Sequence, residues 1–358
     1  MVAAALVAVF AVAAALVALS AGKNPAVLQA AAGRPGAVLP VDEAHPAPEL
    51  TGVKDFDNTA PLTLQSLRGR VVLVDFWTYT CINCRRTFPF LGALSTTYPE
   101  LTVLGVHSPE FSFERSHGNV ARAVRQLGVT WPVAEDPEMA TWSAFGNQYW
   151  PADYLLDRQG RVRYLHVGEG GDTDIENAVR SLLAEGGTVP AARVGDVPNA
   201  ERPGDATSAL TAETYFGAAR GRQYVAGGRV VPAGATVVRH DPDQDPGVLR
   251  LEGTFTGEAE SLQLGAGASV TQRFHARDVY ATTAPAEAPV VLDVTLDGRP
   301  VPPGRRGSSL RVQAGRTVTT VGSDDLLHLI SGPGIADGVL TVTARTAGAR
   351  LFTLTFGA

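Results

Sequence analysis

Both cysteines of the chain, Cys81 and Cys84, are separated by only two residues and stand directly behind an apolar run. Val71-Val72-Leu73-Val74 opens that run, and Asp75-Phe76-Trp77 carries it to Thr78-Tyr79-Thr80 and the first thiol. The run reads as a buried strand and the segment after it as a helix, so the pair falls at a strand-to-helix junction. A helix N-terminus presents unpaired N–H groups and the positive end of the helix dipole. A thiolate at Cys81 is stabilised there. Cys84, one turn further in on the same face, can attack a mixed disulfide formed at Cys81. Arg85 and Arg86 either add positive charge to this site or point to solvent.

Other thiol chemistries fit less well. Structural zinc needs two further ligands, and the chain has no third cysteine and no His pair at finger-like spacing. Haem attachment needs His directly after the second cysteine, where Arg85 stands. An iron–sulfur cluster normally takes about four cysteines. An inert structural disulfide stays open as an alternative, although so short a loop closes little chain entropy. No metal is expected, and no cofactor beyond the redox-active disulfide itself.

A chain of 358 residues has room for two ordinary domains. Its net charge of −6, with no basic cluster, argues against nucleic acid as a partner. Val2 to Leu19 is unbroken apolar sequence, and the first charge is Lys23. Residues 1–22 therefore read as a membrane anchor, as a cleaved signal ending near Ala18-Leu19-Ser20, or as the last span of a longer membrane protein. Residues 23–50, with Pro25, Pro35, Pro40, Pro46 and Pro48, read as an extended tether. Globular patterning begins near Phe56, and a first domain is expected over 51–187.

Within that domain the patterning predicts strands at Val71–Trp77, Leu101–His107, Trp131–Ala134, Ala152–Leu156 and Val162–Val167. Helices are predicted at Cys81–Tyr98, Phe113–Leu127, Glu138–Phe145 and Asp174–Leu183. The alternation implies an α/β layer structure with a mixed central sheet. Residues 188–211 read as a linker. From 212 to 358 the pattern changes to period two, as in Val290, Leu292, Val294 and Leu296, which predicts an all-β sandwich of jelly-roll or immunoglobulin-like type.

The order Val74-Asp75-Phe76-Trp77 followed by Cys81-Ile82-Asn83-Cys84 resembles the thioredoxin superfamily. Phe56, Leu64 and the Leu67-Arg68-Gly69-Arg70 lead-in are similar to its extracytoplasmic TlpA/ResA branch. The string Trp77-Thr78-Tyr79-Thr80-Cys81-Ile82-Asn83-Cys84 resembles more specifically the C-terminal half of DipZ-type proteins. So do Val106-His107-Ser108-Pro109-Glu110-Phe111, Asn147-Gln148-Tyr149-Trp150-Pro151 and Gly168-Glu169-Gly170. In that family a CcdA-like membrane electron transporter is joined to a thioredoxin-like domain and a carbohydrate-binding-module-like β-sandwich.

The resemblance implies a thiol–disulfide oxidoreductase at the cell membrane with its catalytic domains on the extracytoplasmic side. It would reduce client disulfides in cytochrome c maturation or disulfide quality control, fed by a CcdA-like electron donor. Cys81 would be the nucleophile, Cys84 the resolving thiol, and Pro151 the cis-proline beside them. Asp75 would be the buried acid that moves the proton of the resolving thiol, since Thr87 stands where the ResA branch has an acidic residue. Glu110 is a further candidate acid. Trp77, Tyr79, Tyr149 and Trp150 are candidates for a client-docking ledge, with core packing accounting for some of them. His107 and His166 read as packed or surface histidines. Two other functions compete. Thr78, three residues before Cys81, fits a peroxiredoxin-like peroxidase, but Val74 stands where its upstream proline would be. Alternatively the β-sandwich carries the function by docking a partner or a glycan, with Tyr215, Phe216, Tyr224, Phe255, Phe274, Tyr280, Phe352 and Phe356 as its aromatic stock.

Overall fold

The computed structural model describes residues 37–187, 191–195, 210–221, 231–240 and 249–357. The apolar segment read as an anchor or signal, and the first half of the tether, lie outside the described residues. The chain divides into two compact units, 1–200 and 201–358. No helix among the described residues is long and apolar enough to cross a membrane.

The first unit runs β1 (His45–Pro46), β2 (Phe56–Asp57), β3 (Val71–Trp77), α1 (Ile82–Thr97), β4 (Leu101–His107), α2 (His117–Gln126), β5 (Val133–Glu135), α3 (Ala140–Phe145), β6 (Ala152–Leu156), β7 (Arg161–Val167) and α4 (Asp172–Glu185). Its sheet has the order β1-β7-β6-β3-β4-β5-β2. β3 lies parallel to β4, and β4 to β5; β6 and β7 return antiparallel. This is the α/β arrangement expected of a thioredoxin-like domain.

Every residue of β3 is buried, which is why its sequence shows no alternation: both sheet faces are covered. Val71, Leu73 and Trp77 share one core with Phe88, Leu91 and Leu94 of α1 and Ile175, Val179 and Leu182 of α4. Val72, Val74 and Phe76 face a second core with Trp142, Phe145 and Tyr154. Asp75 belongs by its period-two position to the first of these faces.

The structure corrects several boundaries. The fold starts well before Phe56. Leu39 is buried, its N–H donates to the Arg163 carbonyl, and β1 pairs with β7. Proline-rich sequence lacks local periodicity, so only this long-range pairing reveals that it is packed. The helix predicted over Phe113–Leu127 is a 3-10 turn, Ser112–Arg115, then α2, because Ser116 is extended between them. The predicted Glu138–Phe145 helix begins at Ala140, where the Asp136 carboxylate accepts from the N–H groups of Ala140, Thr141 and Trp142. Part of the predicted linker is also held down: the Ala192 carbonyl accepts from the Tyr98 hydroxyl, and the Val194 N–H donates to Glu176.

The second unit is all-β, and its strands join in one continuous antiparallel network. Strand Val290–Leu296 alternates buried and half-buried residues as its sequence pattern predicts. Phe216, Phe255, Phe274 and Phe356 are buried in its core, with Tyr280 and Phe352 buried as well. Tyr215 is half-buried under the Arg220 guanidinium, 3.8 Å from the ring centre. Tyr224 lies outside the described residues. Among those residues, these aromatics form no exposed face of the kind a glycan stacks on.

Candidate active site

β3 ends at Trp77 and releases the Thr78-Tyr79-Thr80 loop, which turns directly into α1. Cys81 is the N-cap residue of that helix, with extended backbone (φ −79°, ψ 112°), and the Cys84 N–H donates to its Sγ at 3.3 Å. The sulfur thus occupies the place an N-capping oxygen usually takes, against an otherwise unpartnered helical N–H. Cys81 is partly exposed and Cys84 wholly buried. Burial pushes the Cys84 thiol well above its ordinary value, and Cys81 and Asp75 push it the same way. An incoming disulfide meets Cys81 alone, and Cys84 requires a base before it can act as a thiolate.

Asp75 is fully buried, and neither carboxyl oxygen has a hydrogen-bond partner. Burial first, and the charge of Asp153 second, raise its proton affinity well above that of an ordinary carboxylate. It therefore holds a proton more readily than an ordinary carboxylate, which suits it to proton exchange with a buried thiol.

The active loop is pinned from below by a residue the sequence reading passed over. The Glu114 carboxylate accepts from the Thr80 hydroxyl at 2.7 Å, the Thr80 N–H at 3.2 Å, the Glu110 N–H at 2.7 Å and the Phe111 N–H at 3.0 Å. Glu114 is buried, whereas Glu110, the acid singled out from sequence, is only half-buried and meets this network through its backbone. The available signal was local. Glu114 stands three residues after Phe111 and reaches back to its N–H, the carboxylate half of a capping box. His107 is buried between Trp77 and Tyr79, with ring centres 4.9 and 5.6 Å away. Burial lowers its pKa to about 3, so it stays neutral and packs.

The four aromatic candidates separate. Trp77 and Tyr79 are buried in the core and unavailable to a docking client. Tyr149 is 49% exposed. Trp150 is half-buried against Trp142, 4.2 Å between ring centres, and its Nε1 donates to the Ser108 carbonyl. The Trp150–Pro151 peptide bond is cis. Because Ala152 pairs with Phe76, Pro151 stands at the end of β3 from which the cysteine loop departs. Arg86, read as a possible surface charge, is buried with its Nη1 3.4 Å from Glu169, and Arg85 Nε donates to the Tyr79 carbonyl. Away from these thiols, Asp55, His117 and Glu135 bring one ligand atom each within 4.8 Å of one another, and His117 Nδ1 pairs with Glu135 at 2.6 Å.

Two family models match the chain: Redoxin over residues 42–182, and the thioredoxin-like C-terminal domain over 211–357. Protein DipZ of Mycobacterium tuberculosis is 34% identical over 319 residues, covering 87% of this chain. The chain spans 43% of the length of that relative. Thiol-disulfide oxidoreductase YkuV of Bacillus subtilis is 30% identical over 142 residues, which are 39% of this chain and 96% of YkuV. A crystal structure of a thiol:disulfide interchange protein from Chlorobium tepidum aligns at 26% identity over 39% of this chain and 97% of its own, with a TM-score of 0.34.

Proposed function

Because the chain belongs to the thioredoxin-like thiol–disulfide oxidoreductases, we propose that it works as a membrane-tethered, extracytoplasmic reductase of protein disulfides. Its clients would be apocytochromes c or misoxidised secreted proteins, and its electrons would come from a CcdA-like membrane dithiol. The observation that carries this reading is the asymmetry of the two thiols. Cys81 is accessible and bonded to a helical N–H, while Cys84 is buried one turn behind it beside a buried acid.

The reaction follows from that asymmetry. The Cys81 thiolate attacks one sulfur of the client disulfide, forms a mixed disulfide and expels the other sulfur as a thiolate. Asp75 takes the proton of Cys84, and the Cys84 thiolate attacks Cys81 Sγ. The Cys81–Cys84 disulfide forms and the second client sulfur leaves. Two electrons have then reached the client, whose sulfurs leave as thiolates and take their protons from water; the Cys84 proton stays on Asp75 until the donor dithiol returns the protein to its reduced state. Exposed Tyr149 and half-buried Trp150, on the segment leading into Pro151, supply the ledge against which the client strand lies. The second unit serves as a docking module for a protein partner.

The test is the reduction potential of the Cys81–Cys84 pair in the full chain, by equilibration with a thiol redox buffer. A value near or below roughly −220 mV supports a reductase fed by a membrane carrier. A value near about −120 mV makes it an oxidant and overturns this direction of electron flow.

A further inference from the structure

Asp75 has a second buried acid directly across the sheet. In the antiparallel β3–β6 pair Asp75 stands opposite Asp153, and in the β6–β7 pair Asp153 stands opposite His166. Residues opposite one another in adjacent strands project from the same face, with Cβ atoms about 4.5–5.5 Å apart. The three side chains therefore form a row on the face covered by α1 and α4. Asp153 is 1% exposed and its Oδ1 has no hydrogen-bond partner. His166, the outer member, is half-buried with its ring against Gly171 at the start of α4. Among the described residues, Asp153 caps no helix and pairs with no cation.

Other ionisable groups define its surroundings. Cys84 and Cys81 lie on the Asp75 side, from α1. Asp172 and Asp174, in the first turn of α4, lie on the His166 side. Arg86, on α1 beyond Cys84, is a buried cation and lies 3.4 Å from Glu169. Burial first, and the negative charge of Asp172 second, disfavour an ionised Asp153. Two buried carboxyls on one dry face cannot both ionise cheaply, so the pair titrates as a unit and binds its last proton tightly.

We propose that Asp153 is a positioning residue for the disulfide chemistry: acting through Asp75, it makes the two carboxyls a one-proton reservoir that takes the Cys84 proton when the disulfide forms and returns it on reduction. This rests on the reading of Cys84 as the resolving thiol. The step is a proton exchange without electron transfer. When Cys84–SH ionises to attack Cys81 Sγ, its proton moves to the singly ionised pair, which becomes neutral. When the donor dithiol reopens the disulfide, the same proton returns to the Cys84 sulfur. Burial raises Asp153 to about 7, with Asp172 pushing the same way, so exchange is poised near neutral pH.

The test uses the full reduced chain and 5,5′-dithiobis(2-nitrobenzoate). The first nitrothiobenzoate released marks mixed-disulfide formation at Cys81, and the second marks attack by Cys84. The rate of the second release is followed against pH. In Asp153→Asn the acid limb of that profile should move down by about one pH unit, a tenfold change in proton affinity. The first release should be unchanged. Asp75→Asn should lose the limb, and Asp75→Asn with Asp153→Asn should match Asp75→Asn alone. A profile for Asp153→Asn that superimposes on the wild type overturns the proposal, as does an equal shift in the Asp75→Asn background. If Asp153→Asn does not fold, Asp172→Asn replaces it: a smaller downward shift supports the proposal, and none overturns it. If the wild type releases no second nitrothiobenzoate at any pH, the assignment of Cys84 itself fails.

Discussion

The Thr80 hydroxyl donates to the Glu114 carboxylate at 2.7 Å, one residue before the accessible thiol of Cys81, across 34 positions of sequence. This bond ties the loop that presents Cys81 to the segment after β4. The same carboxylate also holds the Glu110 and Phe111 amides. One buried side chain therefore fixes both walls of the thiol loop.

Replacing it should loosen both. Glu114→Ala removes a shared acceptor from four donors, and a buried donor left unpaired costs about 1–3 kcal/mol, less where the loop can relax towards water. A fall in Tm of several degrees is expected, with faster amide hydrogen exchange at Thr80 and Phe111. Unchanged exchange at Thr80 would show that the loop is held by other contacts.

The thiols should behave unequally. Cys84→Ser is expected to accumulate a stable Cys81–client mixed disulfide, visible as a mass increase on non-reducing analysis, while multiple turnover falls to background. Cys81→Ser should form no adduct. A Cys84 adduct of comparable yield would contradict the burial difference between the two sulfurs.

Buried carboxyls also set the pH dependence of stability. Asp153 holds its proton up to about 7 when folded, against an ordinary value of 3.8. The folded state binds that proton more tightly than the unfolded chain. Its destabilising effect is absent below about pH 4, grows as pH rises through the window to 7, and is complete above it. Asp153→Asn should therefore be more stable than the wild type at pH 8, by on the order of 1–4 kcal/mol, with no gain at pH 4. Denaturant midpoints at the two pH values measure this.

Tyr149 tests the docking ledge. Its ring is exposed on the segment leading into Pro151, so Tyr149→Ala should raise KM for a protein disulfide several-fold. Release of nitrothiobenzoate from the small aromatic disulfide should be unaffected. Equal losses on both substrates would place Tyr149 in the fold instead of the ledge.

Gly105 on β4, the parallel neighbour of Asp75, leaves room for an indole. A Cβ there would lie 2.7 Å from Trp77 Nε1 and 3.3 Å from Trp131 Nε1. Gly105→Ala should cost about 1–3 kcal/mol through overpacking, read as a lower denaturant midpoint with an unchanged slope.

Sequence alone determined the strand-to-helix placement of Cys81 and Cys84, the α/β order of the first unit and the all-β character of the second. Each of these is encoded locally: an unbroken apolar run marks a strand covered on both faces, and period-two alternation marks a strand covered on one. Tertiary structure decided what no local period contains. Antiparallel register set Asp153 against Asp75, 78 positions apart by their numbers, and burial stripped both of water. Folding of the segment after β4 turned Glu114 inward and left Glu110 at the edge. Pairing with β7 drew proline-rich sequence, without any period of its own, onto the sheet. Trp77 and Tyr149 look alike in sequence as aromatic flanks of the motif, yet one is core and the other exposed. The physical reason is common to all of these: periodicity reports which way a side chain leaves its own backbone, whereas register and packing decide what it meets there.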